Sequence, residues 1–538
     1  MLEGYDVHER QYLVRGFTTG FHIPYEAFSV VQSDNMPSVT RYSIEIDSYI
    51  NSELEKGRIQ GPFVEPPFRD FHVSPICMIP KKESGKYRMI HNLSFPQDHS
   101  LNDYIPDHEA TVQYETLNTV LQQILKYGQG SFLAKADVES AFRIIPIHPD
   151  SHHLLGFKWN NKFYYDKCLP MGCRISCRLF ERFTCAIQWI LKTKFLIPTM
   201  SHILDDFIFV SDNQSSCQKY LNTFMALATQ INLPIKHSKT VLPSTIVVVH
   251  GVEVDTIKME TRLPQDKVVK AKNQLQFLYK SRKVTLRSLQ SVLGFLNFAC
   301  QVIVPGRSFL QRLFVLTKGL TKPHHHLRIN SEARADLTAW LHFVQAYNGR
   351  TMLQEHRWLS SDTMSLYTDS ASTCGYAAVF KKAWFNGAWP ISWKNMSIAF
   401  LELFPIVIAL EYWSNLLENK CIIFHSDNKA VVDIINAQSS NNPPIMFLIR
   451  RLVLSCMNFN ILFIATHIPG KYNITADLLS RFQEQQAMLM APWLNSEKEE
   501  LPAHLHPENI QLKRSWLHHS PKAARKPILD PSTQSIRT

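Results

Sequence analysis

The clearest pattern of apolar and polar positions lies at residues 201–210, where two apolar runs flank a pair of adjacent aspartates. Both runs favour extended backbone, and two turn-type residues separate them, which predicts a β-hairpin with Asp205 and Asp206 at its tip. Neighbouring carboxylates repel each other unless cations lie between them. Most such pairs are solvated turns, so this stretch alone leaves a plain turn and a metal site as alternatives.

A second apolar run, residues 132–138, predicts a buried strand that ends at Asp137. A carboxylate at the end of a core strand is costly unless water or a metal ion solvates it. Asp137 is therefore the expected partner of Asp205 and Asp206. Three carboxylates on two strand elements can hold two divalent ions about 3.5–4 Å apart, an arrangement that suits phosphoryl transfer.

The C-terminal part of the chain alternates predicted strands and helices, and four of these elements carry an acid. Strands are predicted at 365–371 and 421–428, and helices at 399–417 and 473–481. Each acid alone has a plain reading as a turn, a first-turn charge or a polar helix face. Together they predict a second acidic site, formed by Asp369, Glu402, Asp427 and Asp477.

Helical periodicity elsewhere predicts helices over residues 43–56, 178–191, 266–280, 285–300 and 331–347. Basic residues cluster between 267 and 287, where they form either a solvated helix face or a phosphate-binding surface. The tail from residue 483 has no period, which predicts partial disorder.

Composition narrows the class of protein. The 538 residues are 45% hydrophobic and 19% charged, with a net charge of +11, which predicts several folded domains and a polyanionic partner. The ten cysteines show no paired metal spacing and are interpreted as reduced packing residues. The run His324-His325-His326 is interpreted as an exposed segment. We find neither a signal peptide nor a membrane span, which predicts an intracellular protein of the cytoplasm or nucleus.

Two further segments offer groups for a nucleotide. Residues 74–90 predict two strands around a cationic turn, which is either a solvated hairpin or a phosphate site using Lys81 and Arg88. Residues 169–176 form a predicted loop before a helix, and Gly172 would let backbone approach a flat ligand closely.

The order of these segments resembles the reverse transcriptases of retroelements. The resemblance implies that Asp137, Asp205 and Asp206 hold two Mg²⁺, with Mn²⁺ as an alternative. It also implies six nucleotide contacts: Lys81, Arg88, Phe142 as the gate against a 2′-hydroxyl, Met171, Gly172 and Lys239. Two positions depart from the family pattern, Ile203 where an aromatic residue is usual and Met171 where several families have Gln.

The second acidic set resembles that of ribonuclease H. The resemblance implies that Asp369, Glu402, Asp427 and Asp477 hold two more metal ions and that His467 assists near the scissile phosphate. The substrate implied is the RNA strand of an RNA–DNA hybrid, which is recognised by its shape and 2′-hydroxyls.

The fold class expected is α+β and multidomain: a right-hand polymerase with fingers, palm and thumb, then a connection and an α/β ribonuclease H-like domain. The predicted segments are an N-terminal extension (1–65), fingers and palm (66–255), thumb-like helices (256–320), connection (321–361), ribonuclease H-like domain (362–482) and a partly disordered tail (483–538). The motifs at 57–63, 170–173 and 478–481 most resemble DIRS-type retrotransposons, with gypsy-like and pararetroviral polymerases next.

The predicted function is RNA-directed DNA polymerisation with ribonuclease H cleavage. The expected partners are an RNA template, a DNA primer, the RNA–DNA hybrid and deoxynucleoside triphosphates, with no membrane and an oligomeric state left open. One alternative is a catalytically silent nucleic-acid-binding relic. Another is a working ribonuclease H beside a polymerase impaired by Met171 or Ile203.

Overall fold

The computed structural model describes residues 1–510, apart from 27–28, 82–84, 86, 347–350, 353–357, 361–363, 365, 394, 419, 460 and 471–472. The chain divides into two compact units, Met1–Glu260 and a second that begins at Thr261. All ten cysteines are free, as the sequence analysis predicted. In the part of the chain that the structure covers, no helix is both long and apolar enough to cross a bilayer.

The first unit mixes helices with short antiparallel strands. Its helices are α1 (Val7–Thr19), α2 (Ser38–Arg41), α3 (Ser43–Glu55), α4 (Asp107–Ala110), α5 (Leu117–Tyr127), α6 (Ser176–Thr193) and α7 (Gln214–Gln230). Its strands are β1 (Ile59–Phe63), β2 (Ile76–Pro80), β3 (Tyr87–His91), β4 (Phe132–Asp137), β5 (Gly156–Trp159), β6 (Lys162–Asp166), β7 (Met200–Ile203), β8 (Asp206–Ser211), β9 (Val241–Ser244), β10 (Ile246–Val249) and β11 (Val252–Asp255), while β12 (Glu260–Arg262) spans the boundary along the chain.

The centre of this unit is the sheet with strand order β7-β8-β4-β9. Strands β4 and β8 are almost completely buried, because their side chains pack into one apolar core with helices α6 and α7. The hairpin predicted at residues 201–210 is present as β7 and β8, and the strand predicted at 132–138 is β4. The segment after β4 turns away from the sheet, because residues 141–144 form a 3₁₀ turn.

A buried group of charged side chains ties several elements of the first unit together. Arg143 lies 2.9 Å from Glu53 on α3 and 2.6 Å from Asp166 at the end of β6. His91 places Nδ1 3.0 Å from Asp166 and Nε2 3.1 Å from the Gly156 carbonyl oxygen. Each ring nitrogen thus lies within hydrogen-bond distance of an oxygen atom. Burial alone would raise the pKa of Asp166, but Arg143 and His91 hold it below its usual range.

The second unit begins with helices α8 (Gln265–Lys280), α9 (Leu286–Ala299), α10 (Gln311–Val315) and α11 (Ser331–Ala346). Thr285 caps α9, because its side-chain oxygen accepts a hydrogen bond from the Ser288 amide. The remaining helices are α12 (Ile398–Tyr412), α13 (Lys429–Ala437), α14 (Pro443–Asn458), α15 (Ile474–Ser480) and α16 (Glu484–Met490).

The strands of the second unit form small sheets. Strands β13 (Lys283–Thr285) and β14 (His326–Arg328) pair with each other, and β15 (Thr351–Met352) is short. Antiparallel β17 (Leu366–Ser370), β18 (Gly375–Phe380) and β19 (Ala383–Ala388) form one three-stranded sheet. Parallel β16 (Trp358–Ser360), β20 (Cys421–Ser426) and β21 (Leu462–His467) form another. Tyr347 and Ser365, which lie in the helix predicted at 331–347 and the strand predicted at 365–371, are outside the described residues.

The ordered chain continues past residue 482, where the sequence analysis ended the second acidic domain. Helix α16 packs through Ala487, and Leu494, Leu501 and Leu505 are buried after it. The Trp384 indole N–H donates to the Asn495 carbonyl oxygen at 2.9 Å, which anchors this segment to β19. The remainder of the predicted disordered tail, residues 511–538, lies outside the described residues.

The charged group around Asp166 yields a stability prediction. Asp166→Asn removes the carboxylate shared by Arg143 and His91 but leaves Arg143 its contact with Glu53. Loss of one charged partner from a buried hydrogen-bonding group costs about 1–3 kcal/mol. We expect a loss of about that size in the free energy of unfolding, measured by urea titration of the full chain. The control is Asp150→Asn, whose side chain is 77% exposed and should change stability by less than about 0.5 kcal/mol. Equal stability of the two variants would contradict the assignment.

Candidate active sites

Strand pairing brings the first three predicted acids together. In the antiparallel register of β4 and β8, Asp137 stands directly opposite Asp206. Asp205 occupies the turn between β7 and β8, and its carbonyl oxygen accepts a hydrogen bond from the Val138 amide at 2.9 Å. The local sequence explains the placement, because apolar strand residues fill the core until the chain reaches the acids at the sheet's edge.

A buried glutamate on α6 holds the turn that carries Asp205 through a backbone hydrogen bond. Leu204 has a φ of 51°, in the left-handed region that a branched apolar residue seldom adopts. Its amide donates to the Oε2 atom of the buried Glu181 on α6 at 3.1 Å. The sequence analysis missed Glu181, because nothing in a helix pattern shows which loop amide a buried acid will contact.

Two lysines compensate the acidic charge. The Lys239 ammonium donates to Asp137 Oδ2 at 2.7 Å, and the Lys135 ammonium donates to Asp206 Oδ2 at 2.7 Å. Lys239 was predicted to lie at this site, whereas Lys135 was not. A signal for Lys135 was present, since a residue two positions before Asp137 on one strand shares its face.

The electrostatics of the three acids favour a cation. Burial, followed by contact with Asp206, raises the pKa of Asp137, although Lys239 acts in the opposite sense. Burial and the charges of Asp206 and Asp137 raise the pKa of Asp205. Added positive charge would therefore stabilise the ionised forms of these carboxylates.

The loop that contains Met171 and Gly172 is fixed through its backbone. The His91 amide donates to the Met171 carbonyl oxygen at 3.2 Å, and the Asn102 side chain donates to the Gly172 carbonyl oxygen at 2.7 Å. Gly172 has a φ of 123°, and a Cβ atom there would lie 2.0 Å from the His91 carbonyl oxygen. Only glycine fits this position, and the loop is thereby joined to β3.

The other predicted nucleotide residues lie on separate elements. Arg88 is exposed on β3, opposite Ile79 of β2, and Lys81 is exposed just after β2. Phe142 lies in the 3₁₀ turn after β4 and packs edge-on against Phe180 of α6, with ring centroids 5.9 Å apart. Phe142 is thus close in sequence and fold to Asp137, whereas Arg88 and Lys81 belong to the β2–β3 hairpin.

The second acidic set is assembled from four elements of the second unit. Asp369 lies on β17, Glu402 on α12, Asp427 directly after β20 and Asp477 on α15. The charges of the other three acids all raise the pKa of Glu402, which shows that the four carboxylates share one electrostatic environment. The structure therefore groups the four residues that the sequence analysis selected.

The pKa of Glu402 is raised further than that of Asp369, the other acid of this set with a large shift. Helix α12 is otherwise almost wholly apolar, with ten buried residues. Burial, then the charges of Asp369, Asp427 and Asp477, raises the pKa of Glu402 to about 9. Burial raises the pKa of Asp369 to about 6, although a hydrogen bond from Ser480 opposes the change.

Helix α15 supplies polar groups that orient the acids. The Ser480 hydroxyl donates to Asp369 Oδ2 at 2.8 Å, and the Asn473 amide donates to the Thr368 carbonyl oxygen at 2.8 Å. Arg481 donates through Nε to Asp477 Oδ1 at 2.9 Å. The sequence analysis gave these three residues no role, although Ser480 and Arg481 follow Asp477 at three and four positions, one helical turn away.

His467 ends strand β21 beside Asp427. Parallel pairing of β20 and β21 sets Ser426 opposite His467, so the residues at the carboxyl ends of both strands meet at one edge. His467 Nε2 lies 3.1 Å from the Asp427 carbonyl oxygen. A Cβ atom at Gly470 would lie 2.8 Å from Asp427 Oδ2, so the backbone also closes over this acid.

The ligand atoms of both acidic sets are of the type that binds divalent cations. Each set presents only carboxylate oxygens, which are the ligands that Mg²⁺ and Mn²⁺ prefer. Burial, followed by the charges of neighbouring acids, raises the pKa of Asp205 and of Glu402, and a bound cation would offset both causes. Asp137, Asp205 and Asp206 would hold the ions of the first site, and Asp369, Glu402, Asp427 and Asp477 those of the second.

The raised pKa of Glu402 yields a prediction for pH dependence without metal. An unfolded glutamate ionises near its ordinary pKa of 4.5, whereas the folded residue stays protonated to about 9. Its contribution to stability is therefore present below about pH 4.5 and is lost as the pH rises towards 9. We expect Glu402→Gln to raise the thermal midpoint relative to the wild type at about pH 8.5 but not at about pH 4.5, in EDTA. A constant difference at both pH values would contradict this, and Glu418→Gln, at an exposed glutamate, is the control.

Sequence comparison finds a family model that matches the part of the chain containing the first acidic set. Residues 79–278 match the family model "Reverse transcriptase (RNA-dependent DNA polymerase)", and this range includes Asp137, Asp205 and Asp206. The chain is similar to the Transposon Tf2-7 polyprotein of Schizosaccharomyces pombe, with 24% identity over 456 residues, covering 81% of this chain and 31% of the relative. The Tf2-3 polyprotein of the same yeast is 23% identical over the same length. The chain thus spans about a third of the length of these relatives.

Structural comparison agrees at the level of the fold. A foamy viral protease-reverse transcriptase in complex with an RNA/DNA hybrid is similar with a TM-score of 0.50 and 16% sequence identity, covering 86% of this chain and 61% of that one. At this identity the likeness shows an α+β polymerase fold and nothing finer. Residues 79–278 thus match a reverse transcriptase model, and the chain is similar to retrotransposon polyproteins over most of its own length.

Proposed function

We propose that this chain copies RNA into DNA at the first acidic set and cleaves the RNA strand of RNA–DNA hybrids at the second. The observation that carries the proposal is the register of β4 and β8, which sets Asp137 opposite Asp206 beside Asp205 within the reverse transcriptase domain. The expected partners are an RNA template, a DNA primer and deoxynucleoside triphosphates. The expected cofactors are two Mg²⁺ at each site, for which Mn²⁺ can substitute.

At the polymerase site, the protein would position charged groups around the triphosphate and exclude nucleotides that carry a 2′-hydroxyl. Bound divalent ions would activate the primer 3′-hydroxyl and neutralise the pyrophosphate that leaves when this oxygen attacks the α-phosphorus. Arg88 and Lys81 are exposed on one hairpin and can meet the triphosphate oxygens. Phe142, in the turn after β4, would border the sugar and reject a 2′-hydroxyl, and Gly172 would hold its loop against β3 beside the base pair.

Two lysines hold the carboxylates in place before metal ions and substrate bind. Lys239 and Lys135 each contact one acid at 2.7 Å, so the acids are held in place before substrate arrives. An ammonium on a flexible stem can turn from its carboxylate to a substrate phosphate at little cost. We infer that Lys239, whose side chain is 49% exposed, makes this change when a nucleotide binds.

At the second site, the acids differ in how firmly they are held. Asp369 is fixed by Ser480, and Asp477 by Arg481, whereas Glu402 is surrounded by apolar side chains and other acids. Bound ions would generate a hydroxide and stabilise the leaving 3′-oxygen of the RNA. His467 lies at the rim, where it can move a proton near the scissile phosphate.

The type of retroelement and the effect of Met171, which departs from the family pattern, are also matters of proposal. We retain the DIRS-type resemblance on the motifs at 57–63, 170–173 and 478–481. Met171 contacts β3 through its carbonyl oxygen, which any residue would supply. This favours an intact loop, and therefore an active polymerase, over a polymerase impaired at position 171.

The two proposed activities can be separated by single substitutions. Asp205→Asn should reduce extension of a DNA primer on an RNA template by at least about a hundredfold, because a metal-binding charge is lost. It should leave degradation of the RNA strand unchanged. Asp427→Asn should have the opposite effect, and both are measured on one labelled hybrid with Mg²⁺.

Matched controls lie close to each acid. Asp212→Asn follows β8 and Asp433→Asn lies on α13; both side chains are exposed and outside the two acidic sets, so neither activity should change. A wild-type chain that binds the hybrid but neither extends nor degrades it would overturn the proposal in favour of a silent relic. Loss of both activities in each Asn variant would show that the sites are not separate.

A further inference from the structure

A third cluster of ligating side chains lies behind the turn that carries Asp205. Glu181 and Cys185 are one turn apart on α6, and His202 is on the facing strand β7. His202 Nε2 lies 3.3 Å from Glu181 Oε1 and 3.9 Å from Cys185 Sγ. One ligand atom from each residue lies within 4.8 Å of the other two, and Glu181 and His202 are buried.

These separations fit a tetrahedral transition metal. With ordinary bond lengths, a tetrahedral Zn²⁺ separates its nitrogen and oxygen ligands by about 3.4 Å and its nitrogen and sulfur ligands by about 3.6 Å. The observed distances of 3.3 and 3.9 Å differ from these by no more than a few tenths of an ångström. A shift of that size is within the reach of side-chain rotation, without movement of α6 or β7.

The ligand types also match such an ion and exclude the ions of the acidic sets. Sulfur and imidazole favour Zn²⁺ and its neighbours, whereas Mg²⁺ takes oxygen ligands almost exclusively. Burial, followed by the charge of Glu181, raises the pKa of Cys185 to about 11, so Cys185 is a thiol without metal and would lose its proton as a metal ion binds. The Glu181 carboxylate and the Cys185 thiolate would then carry two negative charges. A divalent ion would neutralise them, which lowers the cost of placing charge beside the buried His202.

The cluster has a route to solvent. A cavity of about 310 Å³ is lined by Glu181 and Cys185, together with Tyr5, Glu9, Arg178 and Arg182. A metal ion can enter through this cavity, and a water molecule from it can complete the fourth position. Three protein ligands with one open position form a common arrangement for zinc.

We propose that Glu181, Cys185 and His202 form a binding site for Zn²⁺ or a similar transition-metal ion, separate from both acidic sets. The proposal concerns metal binding and stands whether or not the chain polymerises DNA. The site is connected to the first acidic set through one side chain, because the second oxygen of Glu181 accepts the Leu204 amide at 3.1 Å. Occupancy would therefore fix the backbone immediately before Asp205.

Cobalt absorption tests the proposal. The full chain is stripped with a chelator, supplied with excess Mg²⁺ to fill oxygen sites, and titrated with Co²⁺. Binding at this cluster gives a thiolate-to-cobalt charge-transfer band in the near ultraviolet with one equivalent of Co²⁺, since the acidic sets contain no sulfur. One equivalent of Zn²⁺ should then remove the band, because zinc displaces cobalt.

The variants decide which sulfur is responsible. Cys185→Ser should lose the band completely while keeping the circular dichroism of the wild type. The control Cys77→Ser, at a half-buried cysteine of β2, should keep the band. Absence of the band in the wild type, or its survival in Cys185→Ser, would overturn the proposal and leave Glu181 and His202 as a buried hydrogen-bonding pair.

Discussion

Repulsion between carboxylates that the fold forces together is the constraint on which the first unit depends. The apolar residues of β4 and β8 fill a common core, and their register leaves Asp137 and Asp206 no alternative to facing each other. The protein offsets part of this repulsion with Lys135 and Lys239 and holds the intervening turn in a left-handed conformation through Glu181. Such local strain is stored most often where chemistry takes place.

The second unit also brings several carboxylates close together, but it does so with different secondary-structure elements. Its acids come from an antiparallel strand, two helices and the end of a parallel strand, and the polar residues of α15 orient two of them. Glu402 is left without a compensating cation among the described residues that surround it. In both units the arrangement lowers stability in the absence of metal, and we interpret that loss as the cost of binding divalent ions.

Local patterns predicted the acids because each one interrupts an apolar run. The hairpin around Asp205, the strand ending at Asp137 and the helices bearing Glu402 and Asp477 were all evident from the sequence. Residues whose role depends on tertiary contacts were not. Glu181 and His91 look like ordinary polar residues in the chain, and only folding shows which backbone or carboxylate group each one meets.

The ordering of residues 483–510 could not be predicted for a related reason. This segment has no period of its own, and its stability comes from side chains such as Leu494 and Leu501 that pack against another part of the unit. Burial of apolar surface can order a segment that has little intrinsic preference for helix or strand. The sequence alone therefore did not indicate the helix and the buried leucines that residues 483–510 contain.

The most direct test of the central claim counts the cation sites themselves. Titration of the full chain with Mn²⁺, followed by the electron paramagnetic resonance signal of the free ion, measures binding without any substrate. The account predicts that Asp205→Asn and Asp427→Asn each lose part of the bound Mn²⁺ and that the double variant loses the sum of the two. Wild-type binding curves in both single variants would contradict the claim that these carboxylates are divalent-cation sites.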